Sequence, residues 1–262
     1  MPHDEGMLAR ARAFGTVAEE YERLRPGYPA GLFDDLLDYA GPAADSGVLE
    51  VGAGTGKATV PLALRGLHVL ALEPSVEMAN VLAVRVAAAG LAERVRIQVA
   101  AFEDMDRARH FGLVVAAQSF HWTDPDTRWR RLADLLIPGG AAGLFWNAWM
   151  LDPATHDHRR IRAVFDGEGS GLRPDIVSPT DDDQPLDGMA RVSELVDRRI
   201  ERYSWRWVLA TPDYLGLLAT TSQYAVLAED TRARILGALA ETLDAEVHLQ
   251  VVTELTLVRR SV

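Results

Sequence analysis

The chain has no cysteine among its 262 residues. Disulfides, thiolate zinc sites, iron–sulfur clusters and cysteine nucleophiles are therefore excluded. Lysine is almost as scarce: Lys57 is the single lysine among 27 basic residues, a bias we read as genome composition. The 38 acidic residues outnumber the basic ones, for a net charge of −11. A polynucleotide binder needs a cationic face to release counterions from phosphate, so nucleic acid is not an expected partner. Long apolar runs are also missing. The longest uncharged stretch, 135–151, is broken by Pro138, Gly139 and Gly140 and cannot form a spanning helix. The amino terminus is charged and has no apolar signal core, so the expectation is a cytoplasmic protein without a membrane partner. One pattern hints at a metal, His156-Asp157-His158. Histidines two apart on a helix diverge and no third ligand is evident, so the segment reads as a solvated helix start and no metal is expected.

The length suits one large domain, or a core with a modest cap. Strand-like and helix-like patterns alternate through the first 150 residues. Residues 47–52 form a short apolar strand followed by a glycine-rich turn and a helix over 57–65. Residues 68–73 form a second strand, and Pro74-Ser75 opens a helix whose Ala79, Leu82, Ala83 and Val86 recur at helical spacing. Residues 95–99 and 111–117 are further strands, the latter apolar throughout as a doubly buried strand should be. Thr123-Asp124-Pro125 reads as a helix start, with Trp129, Leu132, Ala133 and Leu136 on one face. Pro138-Gly139-Gly140 stops that helix before a fifth strand at 142–146. Five strand–helix units in series predict the α/β class, a doubly wound parallel sheet with helices on both sides.

Beyond Leu151 the rhythm changes. Residues 166–190, with the acid run Asp181-Asp182-Asp183, read as a long exposed loop. A strand is expected over 195–207, helices near 212–227 and through 235–243, and a last strand over 247–257. That last segment alternates strictly between apolar and polar residues, which suits an antiparallel strand.

Glu50-Val51-Gly52-Ala53-Gly54-Thr55-Gly56 falls on the first strand–helix turn. Glycines at alternate positions admit a ligand against bare main chain, and a helix beginning near Gly56 would aim unpaired N–H groups at it. Glu73, at the end of the second strand, is placed to accept the hydroxyls of a ribose. A dinucleotide site reads G-x-G-x-x-G, whereas here an acid precedes G-x-G-x-G. That acid sits badly beside a pyrophosphate and well beside an ammonium group. The implied ligand carries an amine and a ribose and no diphosphate, a description that S-adenosylmethionine fits.

The motifs resemble a known family. Residues 48–57 are similar to motif I of the class I S-adenosylmethionine-dependent methyltransferases, and Glu73-Pro74-Ser75 with Met78 to their second motif. Gln118-Ser119-Phe120-His121-Trp122 and Leu136-Ile137-Pro138-Gly139-Gly140 resemble the later ones. Tyr21-Glu22-Arg23-Leu24-Arg25-Pro26-Gly27-Tyr28-Pro29 and Phe120-His121-Trp122 resemble the small-molecule branch that includes trans-aconitate methyltransferase-like proteins. The resemblance runs over residues 14–147 and is weak beyond. It implies a Rossmann-like seven-stranded sheet of order 3-2-1-4-5-7-6 with strand 7 antiparallel. It implies that Glu50, Gly52, Ala53, Gly54, Thr55 and Gly56 line the methionine side of the cofactor, with Gln118 beneath. Glu73 and Pro74 would meet the ribose, and Met78, Phe102 and Glu103 the adenine. Two positions depart from the pattern. Ala101 stands where an acid is frequent, and Gly112 where a strand-4 aspartate is common.

On this reading residues 1–262 form a single methyltransferase domain, made of a lid (1–35), a cofactor core (36–150), an acceptor-side cap with strand 6 (151–230) and a final helix and strand (231–262). The expected activity is in-line methyl transfer to a small-molecule acceptor, in specialised metabolism. His121 is placed either to accept a proton from the acceptor or to shape the pocket. Tyr21, Arg25, Tyr28, Trp122, Trp146, Asn147, Ser222 and Tyr224 are the candidate acceptor contacts, and Trp149 lies nearby. Two rival readings stand beside this one: a nicotinamide-dependent oxidoreductase on a similar sheet, and a non-catalytic binder of S-adenosylmethionine.

Overall fold

The computed structural model describes residues 18–167 and 188–262. The first strands are short and apolar, and they form the centre of the sheet. These are β1 (Val48–Val51), β2 (Val69–Leu72), β3 (Val95–Gln98) and β4 (Phe111–Ala117). Every residue of β1 and β2 is buried, as parallel strands covered on both faces require. Helices α1 (Ala18–Leu24) and α2 (Ala30–Ala40) precede them, and α3 (Thr59–Leu64), α4 (Val76–Ala88) and α5 (Arg128–Leu135) connect them. The strands that follow are much longer: β5 (Leu136–Leu151), β6 (Leu195–Ala210) and β7 (Glu246–Arg260). Around them lie α6 (His158–Gly167), α7 (Thr211–Ala219), α8 (Ser222–Ala225) and α9 (Glu229–Thr242). The seven strands form one sheet of order β3-β2-β1-β4-β5-β7-β6. β7 runs antiparallel to both of its neighbours, and the remaining pairs are parallel. The fold class, strand order and odd direction of β7 are those expected from the sequence.

Two layers cover the central sheet. One face packs Leu32, Phe33 and Leu36 of α2 and Leu62 of α3 against Val48, Val115 and Phe145. The other packs Trp129 and Leu132 of α5 against Leu49, Val114, Leu144 and Trp146. A third cluster lies on the outer half of the long strands, where Trp149, Leu151, Leu249 and Val251 meet Phe165, Tyr214, Leu217 and Leu239 of the late helices. The late helices are thus built on the same strands as the core.

Several boundaries differ from the sequence expectation for physical reasons. β5 is sixteen residues long, and includes Pro138-Gly139-Gly140 in place of stopping there. A residue before proline is biased to extended backbone, so Leu136 and Ile137 leave the helix. Leu136 pairs with Phe111 across a register shift between Phe111 and Leu113 that absorbs the irregular residues. At its far end β5 continues to Leu151 because β7 supplies pairing out to Leu249. Thr123-Asp124-Pro125 is a turn and not a helix start. It leads into α5 all the same: Asp124 Oδ1 accepts from the Asp126 amide at 3.0 Å and the Asp124 carbonyl from the Arg128 amide at 2.9 Å, with regular helix from Arg128. The stretch near 212–227 is two helices, α7 and α8. His156 is buried and its Nε2 accepts from the His248 amide at 2.9 Å, so it is not a solvated residue. α2 lies within the core layer through Leu32, Phe33 and Leu36. The acid run 181–183 lies outside the described residues.

Gly112 has a clear packing role. A Cβ there would fall 1.5 Å from the carbonyl oxygen of Ala43, in the 3-10 turn Gly41–Ser46 that lies against the start of β4. An aspartate has no room at this position. Gly112→Ala should lower unfolding free energy by about 2 kcal/mol or more, the scale of overpacking in a rigid site. Urea denaturation of the variant beside the parent protein checks this.

Candidate active site

Where β1 ends, the chain turns sharply. Gly52 has φ +65°, and a Cβ on it would lie 2.5 Å from the Cβ of Ser119, whose hydroxyl donates to the Val51 carbonyl. The loop after β4 is therefore pressed onto the turn, which requires glycine. Gly54 has φ +56° and nothing within 4 Å of where a Cβ would be. Its face is open to a ligand. Gly56, by contrast, packs against Leu82 of α4.

The amides of the turn differ from expectation. Ala53 N–H donates to the Leu72 carbonyl at 2.9 Å, Gly54 N–H to Glu73 Oε2 at 2.7 Å, and Gly56 N–H to the Ala53 carbonyl at 2.9 Å. Helix α3 starts only at Thr59. These three amides are engaged within the fold and are not part of a cradle of the kind that a diphosphate uses.

Beneath the turn lies Glu50, fully buried. Its Oε2 accepts from Thr59 Oγ1 at 2.6 Å, while Oε1 has no partner among the described residues. Burial pushes its pKa up to about 8, the Thr59 bond lowering it and the nearby Glu73 charge raising it again. Without ligand the group therefore keeps its proton at neutral pH, and ionising it in this buried place calls for a cation beside the bare Oε1. Glu73, also buried, holds the turn directly: Oε2 accepts from Gly54 and Oε1 from the Ser75 amide at 2.8 Å. A carboxylate has about four acceptor positions, so capacity remains for two hydroxyls. An amine beside Glu50 and a ribose beside Glu73 suit these residues, and S-adenosylmethionine carries both. The residues present fit that cofactor.

The remaining cofactor candidates surround the same end of the sheet. Ser75 caps α4 through the Met78 amide at 3.2 Å, which fixes Met78 as a buried residue in its first turn. Pro74 is half-buried between Glu73 and this cap. Phe102 is buried against Phe120, and Glu103 accepts from the Asp124 amide at 2.8 Å, pinning the two loops together. Gln118 has φ +57°, a rare conformation for a side-chain-bearing residue, and its amide donates to the Phe145 carbonyl at 2.8 Å. Such strain persists where the surroundings enforce it, and it often marks a functional site. His121 stands beside Trp122 with ring centroids 4.6 Å apart. Its side chain keeps contact with solvent, while desolvation by its neighbours first, and the Arg128 charge second, push its pKa down to about 4, so it is neutral at pH 7.

Helix α1 reaches over the turn through a residue the sequence reading passed by, although it lies inside the Tyr21–Pro29 motif. Glu22 accepts from Thr55 Oγ1 and pairs with Lys57 at 3.3 Å and with Arg85 at 3.2 Å. Lys57 also donates to the Glu22 carbonyl, and Arg85 to that of Thr55, both at 2.8 Å. Arg25 donates to Thr220 Oγ1 and to its carbonyl, at 3.1 and 3.0 Å. Its guanidinium lies over the rings of Tyr21 and Trp149 and has no carboxylate partner among the described residues. Tyr28 packs edge-on against Phe145, the centroids 4.7 Å apart. Tyr21, Arg25 and Trp149 therefore come together, and the cluster of Trp149 includes buried Tyr224.

Other candidates are placed differently. Asn147 donates to the Gly27 carbonyl at 3.1 Å and accepts from Thr253 at 2.6 Å, so both ends of its amide are engaged. Trp146 belongs to the core beneath α5, on a different layer from Trp149. The Ser222 side chain lies outside the described residues. Thr59, Lys57, Arg85 and Thr220 are contributors that sequence reading missed. Thr59 alone carried a signal, a hydroxyl one helical turn past the glycines.

Two predictions follow from these contacts. Glu50 holds its proton in the fold up to about pH 8, whereas the unfolded chain loses it near the ordinary 4.5. Its contribution is full below pH 4.5, declines as pH rises, and is lost once pH passes about 8. Glu50→Gln should therefore stabilise the protein without ligand at pH 8.5 and change it little at pH 4, read by urea denaturation at both values. Glu22→Gln should weaken the clamp between α1 and the turn. Hydrogen exchange at the Arg25 amide, which bonds the Tyr21 carbonyl, should then quicken while the amides of β4 are unaffected.

Residues 48–140 match the family model of a methyltransferase domain. An uncharacterised methyltransferase of Mycobacterium tuberculosis is 40% identical over 167 residues, 64% of this chain and 64% of its own. The alignment thus spans just under two thirds of that relative. An uncharacterised methyltransferase-like protein of Schizosaccharomyces pombe is 33% identical over 141 residues, 52% of each chain. Among solved structures, a provisionally named type II methyltransferase from Anaeromyxobacter dehalogenans superposes with a TM-score of 0.56 at 24% identity, covering 90% of this chain and 97% of that one. A phosphoethanolamine N-methyltransferase of Haemonchus contortus gives 0.58 at 16% identity, covering 100% of this chain and 61% of its own. These likenesses extend to the fold. Residues 48–140 are thus similar to a methyltransferase domain, and they lie on a sheet of order β3-β2-β1-β4-β5-β7-β6.

Proposed function

We propose that the protein is an S-adenosylmethionine-dependent methyltransferase that acts on a small-molecule acceptor, in the branch that includes trans-aconitate methyltransferase-like proteins and in specialised metabolism. The observation that carries this reading is Glu50 Oε1, a buried acceptor without a partner among the described residues, beneath a turn whose amides at 53, 54 and 56 are already bonded. That combination favours an ammonium group over a diphosphate, and so favours S-adenosylmethionine over a nicotinamide dinucleotide. When bound, the cofactor supplies a methyl group on a sulfonium, which is a good leaving group. The chain's own contribution is then positioning and exclusion of water.

Glu50 would hold the amine, Glu73 the ribose, and Gln118, Met78 and Phe102 the flanks. On the acceptor side stand Tyr21, Arg25, Tyr28, Trp149 and Tyr224. The Arg25 guanidinium, lacking a carboxylate partner among the described residues, favours an acceptor that carries negative charge. His121 is neutral at pH 7 and open to a proton, but a base held near 4 draws a proton weakly. We therefore assign it mainly to shaping the pocket beside Trp122.

Calorimetry with S-adenosylhomocysteine and NAD tests the reading. The first should bind and the second should not; the reverse would make the protein an oxidoreductase. Gly54→Val, which strains a φ of +56° and fills the open face, should reduce S-adenosylhomocysteine affinity more than tenfold. His121→Ala should lower turnover with an identified acceptor by less than about tenfold, since a working general base contributes 10²–10⁴. Tight cofactor binding without turnover across a broad metabolite panel would instead indicate a non-catalytic binder.

A further inference from the structure

At the opposite end of the sheet from the glycine turn, the amino-terminal ends of β1, β2, β3 and β4 enclose a groove of about 520 Å³. This volume lies within the range of small-molecule sites. Its charged lining is one-sided: Arg94, Arg96 and Arg109, with His68 and His110, against the single carboxylate of Glu93. Apolar first residues of the strands, Val48 and Val69 among them, also line it. Several arginines elsewhere are paired with acids, Arg85 with Glu22, Arg130 with Asp134 and Glu194, Arg202 with Glu254. The three groove arginines make no ion pair among the described residues. Arg94 donates to the Gly66 carbonyl and Arg109 lies over the Phe111 ring, contacts that orient each guanidinium without neutralising it.

Three uncompensated guanidinium groups in one groove are unexpected in a chain of net charge −11 that has acids to spare. Guanidinium forks match the oxygens of a phosphate, and several together suit a dianion better than a single carboxylate. We propose that this groove binds a small organic phosphate monoester, the phosphate held by Arg94, Arg96 and Arg109 and the organic part on the apolar strand ends. The site is separate from the glycine turn and does not depend on the methyl-transfer reading.

Phenyl phosphate is the probe, titrated calorimetrically into the full chain at about 50 mM salt, with phenol as the neutral control. Phenyl phosphate should bind, phenol should not, and added S-adenosylhomocysteine should leave the titration unchanged. The triple variant Arg94→Gln, Arg96→Gln, Arg109→Gln should lose at least tenfold in phenyl phosphate affinity. Thermal denaturation of the triple variant checks its fold, and Arg96→Gln alone, with a smaller loss, serves if the triple variant is unstable. Binding that survives these substitutions, that competes with S-adenosylhomocysteine, or that is absent from the parent protein would overturn the proposal. Co-sedimentation with vesicles of phosphatidic acid, against phosphatidylcholine, separates the sources of the phosphate. Arginine-dependent capture supports the site with a lipid headgroup as its ligand, and phenyl phosphate binding without capture supports it with a free metabolite.

Discussion

A carboxyl group taken fully out of water, with one oxygen held by a hydroxyl and the other without a partner among the described residues, is the constraint around which this cleft is organised. Thr59 fixes the side chain of Glu50 from the first turn of α3, and β1 fixes its backbone. A second carboxylate, Glu73, closes the turn above it by accepting the Gly54 amide. Two acids so near one another in a dry site raise each other's demand for positive charge. The sheet topology brings them together, since β1 and β2 are adjacent and in register from Val48 with Val69 to Val51 with Leu72. The fold thus builds a cation-seeking floor, and the ligand chemistry follows from it.

The second level of organisation joins the two ends of the chain. Glu22 ties α1 to the turn through Thr55, Lys57 and Arg85, and Arg25 ties it to Thr220 at the end of α7. Asn147 holds the following segment by the Gly27 carbonyl while accepting from Thr253 on β7. One short stretch of chain therefore touches the cofactor side, the central sheet and the cap at once. The charged groups in this junction are only partly buried, so each pair contributes modestly, and the arrangement works as a network.

Much of this was legible in the sequence, and the failures have particular causes. Short apolar runs located β1 to β4, and the alternation of Val247 to Leu257 revealed the antiparallel β7. Acid, glycines and second acid indicated the ligand class because their spacing is local. β5 was drawn too short because Pro138-Gly139-Gly140 looks like a terminator, yet pairing with β4 and β7 carries the strand through it. The bonds of the Ala53 and Gly54 amides were not foreseen because their acceptors, Leu72 and Glu73, come from the neighbouring strand and its end, and such long-range bonds leave no local trace. The same holds for Glu22 and Thr220. Gly112 looked like a departure from pattern, and only the approach of Ala43 explains it.

The length of β5 and β7 has a mechanical consequence. These two ribbons run without interruption from beneath the cofactor turn out to Trp149 and Leu249, where the late helices sit. Rotating that outer half against the inner half would mean breaking a hydrogen-bonded ladder, so cap and floor behave as one stiff plate. Helix α1, by contrast, is tied to the turn by side-chain contacts of Glu22 and belongs to no strand. A plate of this kind also lets substitutions on α7, α8 and α9 reshape what is admitted while the inner end keeps its dimensions, so one scaffold can change its clientele without relearning how to hold its donor.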